Sequence, residues 1–173
     1  ANLTGTLPAI DGSNLTGISG GGGLDSAAIL TVSGRMTGAE LIPASDSNDN
    51  TAIGTGALAN AGSNLDENTA VGKNAIQFNQ VGDKNTAVGF EALRGGSASN
   101  TFYYDNTAIG HKALHVIENG SNNVAIGASA SQNSTSGHSN TAVGNFALSS
   151  NTQGQYNTVI GLQALSTATT GSG

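Results

Sequence analysis

From residue 50 onward the apolar positions come in short bursts. The spacing fits neither the 3.6-residue period of a helix nor a long alternating strand. A polar Asn is followed by Thr, Ala, a β-branched apolar residue and Gly, then by two variable positions, Ala and Leu. The unit opens at Asn50, Asn68, Asn85, Asn106, Asn123, Asn140 and Asn157. Its glycines, Gly54, Gly72, Gly89, Gly110, Gly127, Gly144 and Gly161, are spaced 18, 17, 21, 17, 17 and 17 residues apart. A second glycine stands ten residues after the first in several units, at Gly82, Gly120, Gly137, Gly154 and Gly171.

A fixed period points to a stacked repeat architecture. Helical solenoids need roughly 33–47 residues per unit, about twice what is available. Asn, Thr, Val and Gly are also poor helix material. A β-solenoid coil needs only two or three short strands joined by tight turns. Its coils would stack at ~4.8 Å, and seven of them would make a rod of roughly 34 Å. The predicted fold is therefore all-β, a parallel β-solenoid or β-roll of about seven 17-residue coils.

Comparison of the units gives each position an expected role. Alternation along a strand places the Thr and the β-branched residue on one face and the intervening Ala on the other. The Thr position becomes Val124 in one unit, and the β-branched position is always Val or Ile. Both are expected to face the coil interior. The alanines Ala52, Ala70, Ala87, Ala108, Ala125 and Ala142 are expected to point outward and form the interface of a trimer. The opening Asn is expected to stack on its counterparts and to bond turn backbone. The motif Gly should mark a bend with positive φ or a close backbone approach. The Leu position supplies a second core anchor. One coil offers about three medium apolar side chains, each worth roughly 1.5–3 kcal/mol when buried. Ordering each residue costs on the order of 1–2 kcal/mol, so association into a homotrimer is expected.

Composition sharpens this picture. Of 173 residues, 9% are charged, 4% are aromatic and 26 are Gly, with no Cys. Leu, Ile, Val and Phe number 35, about one in five, which for an aperiodic chain would border on disorder. The net charge is −6, and Arg35, Lys73, Lys84, Arg94 and Lys112 are scattered, so no basic stripe exists to bind nucleic acid. Disulfides and Cys-ligated zinc are excluded, and no apolar run approaches the ~20 residues of a membrane-spanning helix.

Outside the repeats, residues 1–23 read as an extended Gly-rich connector, in which Asn2-Leu3-Thr4-Gly5 recurs as Asn14-Leu15-Thr16-Gly17. Residues 24–46 read as a short β transition segment, with a strand at Ala28–Val32 and a further run to Ile42. Residues 47–173 hold the solenoid. The chain starts without Met and stops partway through a coil, as expected of a piece of a longer polypeptide. The stretch Arg94–Asp105 is four residues longer than its counterparts and carries Phe102, Tyr103 and Tyr104. Such an insertion is expected to emerge as a surface loop. Its aromatics either cover the rod or form a candidate receptor-contact loop.

Catalytic and metal chemistry finds little footing. His111 and His115 have a zinc-like spacing only on a helix. Asp46–Asn50 lacks the Gly and Glu of a calcium loop, with Thr51 and Ala57 in their places. Gly20–Gly23 lacks the Lys-Ser/Thr ending of a phosphate loop. Asp83, Glu91, Asp105 and Glu118 show no fixed pairing of the kind a glycosidase needs. Glu91 and Lys112 fall in one variable slot a coil apart and are expected to form a surface charge pair. No enzyme, cofactor or metal is expected. A ladder of Thr51, Thr69, Thr86, Thr107, Thr141 and Thr158 raises an ice-binding solenoid as an alternative of another class.

The unit Asn122-Asn123-Val124-Ala125-Ile126-Gly127-Ala128-Ser129-Ala130 resembles the head repeat of trimeric autotransporter adhesins. In those heads three left-handed parallel β-rolls associate side by side. The other six units resemble the Thr variant of that repeat found in viral tail-fibre proteins. Leu3–Gly17 is similar to a phage tail-fibre connector. These resemblances imply a homotrimeric segment of a virion tail fibre that binds a host cell-surface glycan or protein receptor and adjoins other tail proteins. Neither nucleic-acid binding nor membrane insertion is implied. A bacterial surface adhesin head is the alternative.

Overall fold

The computed structural model describes the backbone of residues 41–42 and residues 49–60, 62, 65–96 and 102–173. The connector 1–23 and most of the transition segment 24–46 lie outside them. Among the described residues there is no helix. Ten short strands follow in order: β1 (Leu41–Ile42), β2 (Thr51–Ile53), β3 (Thr69–Val71), β4 (Thr86–Val88), β5 (Phe102–Tyr104), β6 (Thr107–Ile109), β7 (Asn119–Ser121), β8 (Val124–Ile126), β9 (Thr141–Val143) and β10 (Thr158–Ile160).

The seven motif strands stack in parallel in the order β2-β3-β4-β6-β8-β9-β10. Register is strict: Thr lies on Thr, or on Val124, and Ala on Ala, up to the last pair, where Val159 lies on Ala142. The chain thus winds as a β-solenoid of about six turns, with one motif per turn. β5 and β7 form a second, two-stranded parallel sheet on another side of the coil. β1 closes the beginning of the stack by pairing antiparallel with β2, Leu41 opposite Ile53 and Ile42 opposite Ala52.

Side-chain amides run up the interior as a continuous rail. The backbone N–H and the Nδ2 of Asn123 both donate to Oδ1 of Asn106, each at 3.0 Å. The same Nδ2 donates to the Gly137 carbonyl at 2.8 Å, closing its own coil. This arrangement repeats from Asn68 through Asn157. The opening Asn is invariant because only a side chain with one acceptor and a two-proton donor at this reach can serve both neighbouring coils and its own turn.

Corners are made with left-handed backbone. All seven motif glycines have φ between 126° and 138°. A Cβ at Gly110 would stand 2.6 Å from the Gly127 carbonyl oxygen, so stacking as well as conformation demands glycine there. Three further corners per coil place non-Gly residues at positive φ, as in the coil containing Lys112 (55°), Leu114 (51°) and Asn122 (60°). Such conformations cost on the order of 1–3 kcal/mol each and persist only where the surroundings dictate them. Here the rung-to-rung hydrogen bonds do so.

The expected faces of the strand are inverted. Ala70, Ala87, Ala108, Ala125 and Ala142 are fully buried and Ala52 is 2% exposed, whereas Val88, Ile109 and Ile126 are 38–39% exposed. The alanines point into the coil and join the second Ala of each motif and the Leu/Ile anchors Ile76, Leu93, Leu114 and Leu148. Thr and Val/Ile face outward. The reason is width. The Asn rail, the Leu anchor and the facing Ala already occupy a coil only a few side chains across, so the strand inserts a methyl in the first six rungs and the larger Val159, 8% exposed, only at β10. Ala52, Ala70, Ala87, Ala108, Ala125 and Ala142 are therefore core residues and present nothing to a neighbouring chain.

Candidate functional site

The outward side of the seven-rung sheet is a regular surface that repeats at every rung. Two parallel files run along it. One contains Thr51, Thr69, Thr86, Thr107, Val124, Thr141 and Thr158. The other contains Ile53, Val71, Val88, Ile109, Ile126, Val143 and Ile160, and every member is half-exposed or exposed. Rungs repeat at ~4.8 Å, and the two files stand roughly 6.5–7 Å apart within a strand. β-branched side chains are restricted at χ1, so the surface is stiff as well as regular.

Beyond the Gly bend, the first variable position of successive coils carries rings. Phe90 and His111 stack with centroids 5.4 Å apart and planes 9° from parallel. Around that corner, Glu91 gathers two nitrogen groups: Lys112 Nζ lies 3.7 Å and His115 Nε2 3.1 Å from its Oε2. The expected Glu91–Lys112 pair is thus present, with His115 as an unforeseen third member. Burial, more than the nearby Arg94 and Lys112 cations, pushes the His115 imidazole below its usual pKa, while Glu91 pulls it up. His111 and His115 have different partners and form no shared ligand pair. Among the described residues no three His, Asp or Glu side chains gather as a metal site. Nor, among the described residues, is any helix long and apolar enough to cross a membrane.

The inserted segment resolves into two different roles. Tyr103 is fully buried, and its hydroxyl donates to the Leu93 carbonyl at 3.4 Å. Burial drives its phenol well above the ordinary range. Its ring enters the coil beside Gly95, where a Cβ would lie 3.1 Å from the Tyr103 hydroxyl. The corresponding stretch of the next coil carries Val116 and Ile117, the latter fully buried. Tyr103 thus supplies bulk that Gly95-Gly96 cannot, and it is unavailable to a receptor. Phe102 is 42% exposed and Tyr104 is half-buried. Residues 97–101 of the loop lie outside the described residues. A clue to the role of Tyr103 was in the sequence, because it occupies the place of Gly82 and Gly120 ahead of the next Asn.

The geometry defines a repeat protein of the β-solenoid class whose surface chemistry is a two-file Thr and Val/Ile sheet. No protein-family model, curated protein or solved structure matches the chain.

Proposed function

We propose that this chain is a structural and receptor-binding segment of a viral tail fibre, a homotrimeric rod that carries attachment surfaces to a host cell. The observation that supports this reading is the unbroken file of half-exposed Val and Ile along one side of the solenoid. A stiff apolar stripe of this length is unusual on a surface that stays in water. Three copies packed along it would bury the stripe around a common axis and leave the Phe90–His111 corner and Phe102 facing outward. The partner is the chain itself, through Val88, Ile109 and Ile126 rather than through the alanines. The same arrangement suits the head of a bacterial surface adhesin.

Sedimentation equilibrium tests the assembly. A trimer is expected, converting to monomer in the I109D variant, whereas a folded wild-type monomer overturns the interface. Binding of the labelled chain to a panel of bacterial cells tests attachment. The expected result is binding to some cell types that weakens in F102A.

A second reading gains from the inverted faces. With Thr and Val/Ile both outward, the two-file lattice offers the regular outward Thr row that an ice-binding face uses. This reading needs the face open to water, so thermal hysteresis from a monomer would favour it over the fibre.

A further inference from the structure

Three repeat positions follow the Gly bend with side chains that reach the surface: the first, second and fifth residues after the motif Gly. In four of the seven coils these positions hold no charged residue. In the three consecutive coils opened by Asn68, Asn85 and Asn106 they gather Lys73, Arg94 and Lys112, with Glu91 as the one carboxylate among them. The fold does not ask for this, since the coils without these charges build the same rungs. Three cations against one carboxylate also run counter to a chain whose net charge is −6.

These side chains are organised as well as clustered. Lys112 Nζ and His115 Nε2 converge on Glu91 Oε2, and the positive charges of Arg94 and Lys112 both bear on the His115 ring. Arg94 is held from behind: its Nε donates to Gln77 Oε1 at 3.1 Å, and its guanidinium carbon lies 4.8 Å from the centroid of the Phe78 ring. No described residue accepts a hydrogen bond from its two Nη groups, which leaves that part of the planar fork for a carboxylate. Lys73 is exposed and has no ion pair among the described residues. Phe90 and His111 each precede a member of the charged group by one residue and add a pair of stacked, exposed rings. Two rung steps of ~4.8 Å make the patch about 10 Å long, the length of a short oligosaccharide.

We infer that this corner is a binding site for an acidic carbohydrate, a sugar chain that carries carboxylates. Arg94 and Lys73 receive the carboxylates, the Phe90–His111 pair takes the apolar C–H surface of a sugar ring, and Glu91 accepts from sugar hydroxyls. A neutral sugar would leave the Arg94 fork and Lys73 without a role. An acidic peptide would use the cations but bring further carboxylates to Glu91 and leave the ring pair unused. The inference rests on the receptor-binding part of the proposed function, to which it gives a ligand class and a place. It needs one chain only, and so does not depend on the trimer.

The probe is trigalacturonate, titrated into the isotopically labelled full chain at about 0.15 M salt and followed by amide chemical shifts. Shifts gathered in residues 73–77, 90–94 and 111–115 are expected. Methyl esterification of the probe keeps its rings and removes its charge, and should weaken binding about tenfold or more. R94Q and the exposed K73Q should each weaken binding of the free acid. In R94Q the preference for acid over ester should shrink in step, which a merely structural loss would not bring about. F90A should weaken acid and ester alike. K84Q, at a lysine that pairs with Glu67 outside the patch, should leave binding unchanged. No shift at about 10 mM probe would overturn the inference. So would equal binding of acid and ester, equal losses in K84Q and R94Q, or triglutamate binding as tightly as trigalacturonate. Binding to cells and its weakening in F102A are measured separately, so failure of the patch and failure of the attachment reading are told apart.

Discussion

The amide rail makes a quantitative claim about position. At Asn106, Oδ1 accepts two hydrogen bonds from Asn123 at 3.0 Å, and Nδ2 donates to Asn85 Oδ1 at 3.1 Å and to the Gly120 carbonyl at 2.9 Å. All three asparagines are within 1% of complete burial. Asn106→Ala deletes four bonds and strands the Asn123 backbone N–H inside the coil. At a net ~1 kcal/mol for each of three bonds, with ~1–3 kcal/mol for the orphaned N–H that made the fourth, the loss is about 4–6 kcal/mol. Asn157→Ala makes the same chemical change at the end of the rail. There only two bonds disappear among the described residues, to Asn140 Oδ1 at 2.9 Å and to the Gly171 carbonyl at 2.8 Å. The loss should be about 1–2 kcal/mol.

Stacked repeats need not unfold in one step, so the assay is native-state hydrogen exchange alongside urea denaturation. Asn106→Ala should lower protection in the rungs on both sides, and Asn157→Ala only at β10. Asn106→Asp supplies a second arm. An oxygen replaces Nδ2 between two acceptors, so an ionised carboxylate is excluded and stability should recover as the pH falls and the acid becomes a donor. Equal losses for Asn106→Ala and Asn157→Ala would refute the rail as a cooperative element, and so would a pH-independent Asn106→Asp.

Three further outcomes follow from single positions. Ser131 stands in the anchor slot used by Leu114 and Leu148, 1% exposed and with no partner for its Oγ, so Ser131→Leu should raise the urea midpoint by the equivalent of about 1–3 kcal/mol; a lower midpoint would mean the coil is already full. Tyr103→Ala should cost about 3–5 kcal/mol in thermal or urea unfolding, while Tyr103→Phe, losing only a 3.4 Å bond, should cost less than about 1.5. The depressed pKa of His115 means that the unfolded chain binds a proton more readily than the folded one. Stability is therefore fully present above the ordinary value of about 6.5 and falls as the pH drops below it, a slope that urea titrations should find flattened in His115→Gln.

The period, the all-β stack, the Asn rail, the Gly bends and the Leu anchors were legible in the sequence because each is a column of one residue type. A column records what every rung requires at a given place. What it does not record is which way a three-residue strand turns. Thr-Ala-Val alternates identically whether Ala or its neighbours point inward, and the Thr-to-Val change at Val124 suits an outward β-branched position as well as an inward one. The left-handed corners at Glu91, Leu93 and Asp105 were also hidden, since their residue types do not favour positive φ and only stacking enforces it. Tyr103 was hidden among aromatics that look alike in sequence but divide between core and surface.

The inversion changes what the rod can do. A core lined by alanine is thin and supplies little apolar burial per coil. The hydrogen-bonded Asn rail and the backbone rungs therefore carry much of the specification of the fold. That frees the larger β-branched side chains from the interior and sets them outward, in register, at every rung. Had the Val and Ile been inside, the outer face would have been a file of methyl groups with little area to bury against a partner. As built, the monomer places its smallest apolar groups where width is limiting and its larger ones where another surface can meet them. Exchanging the two files within one rung tests this logic. A variant with Ala108 changed to Ile and Ile109 to Ala should fail to fold, because the fully buried Ala108 site has no room for three more carbons. Changing Ile109 to Ala alone should leave the solenoid intact and weaken only the proposed association. If the double variant folded as well as the single one, the coil interior would have room to spare and the argument from width would fail.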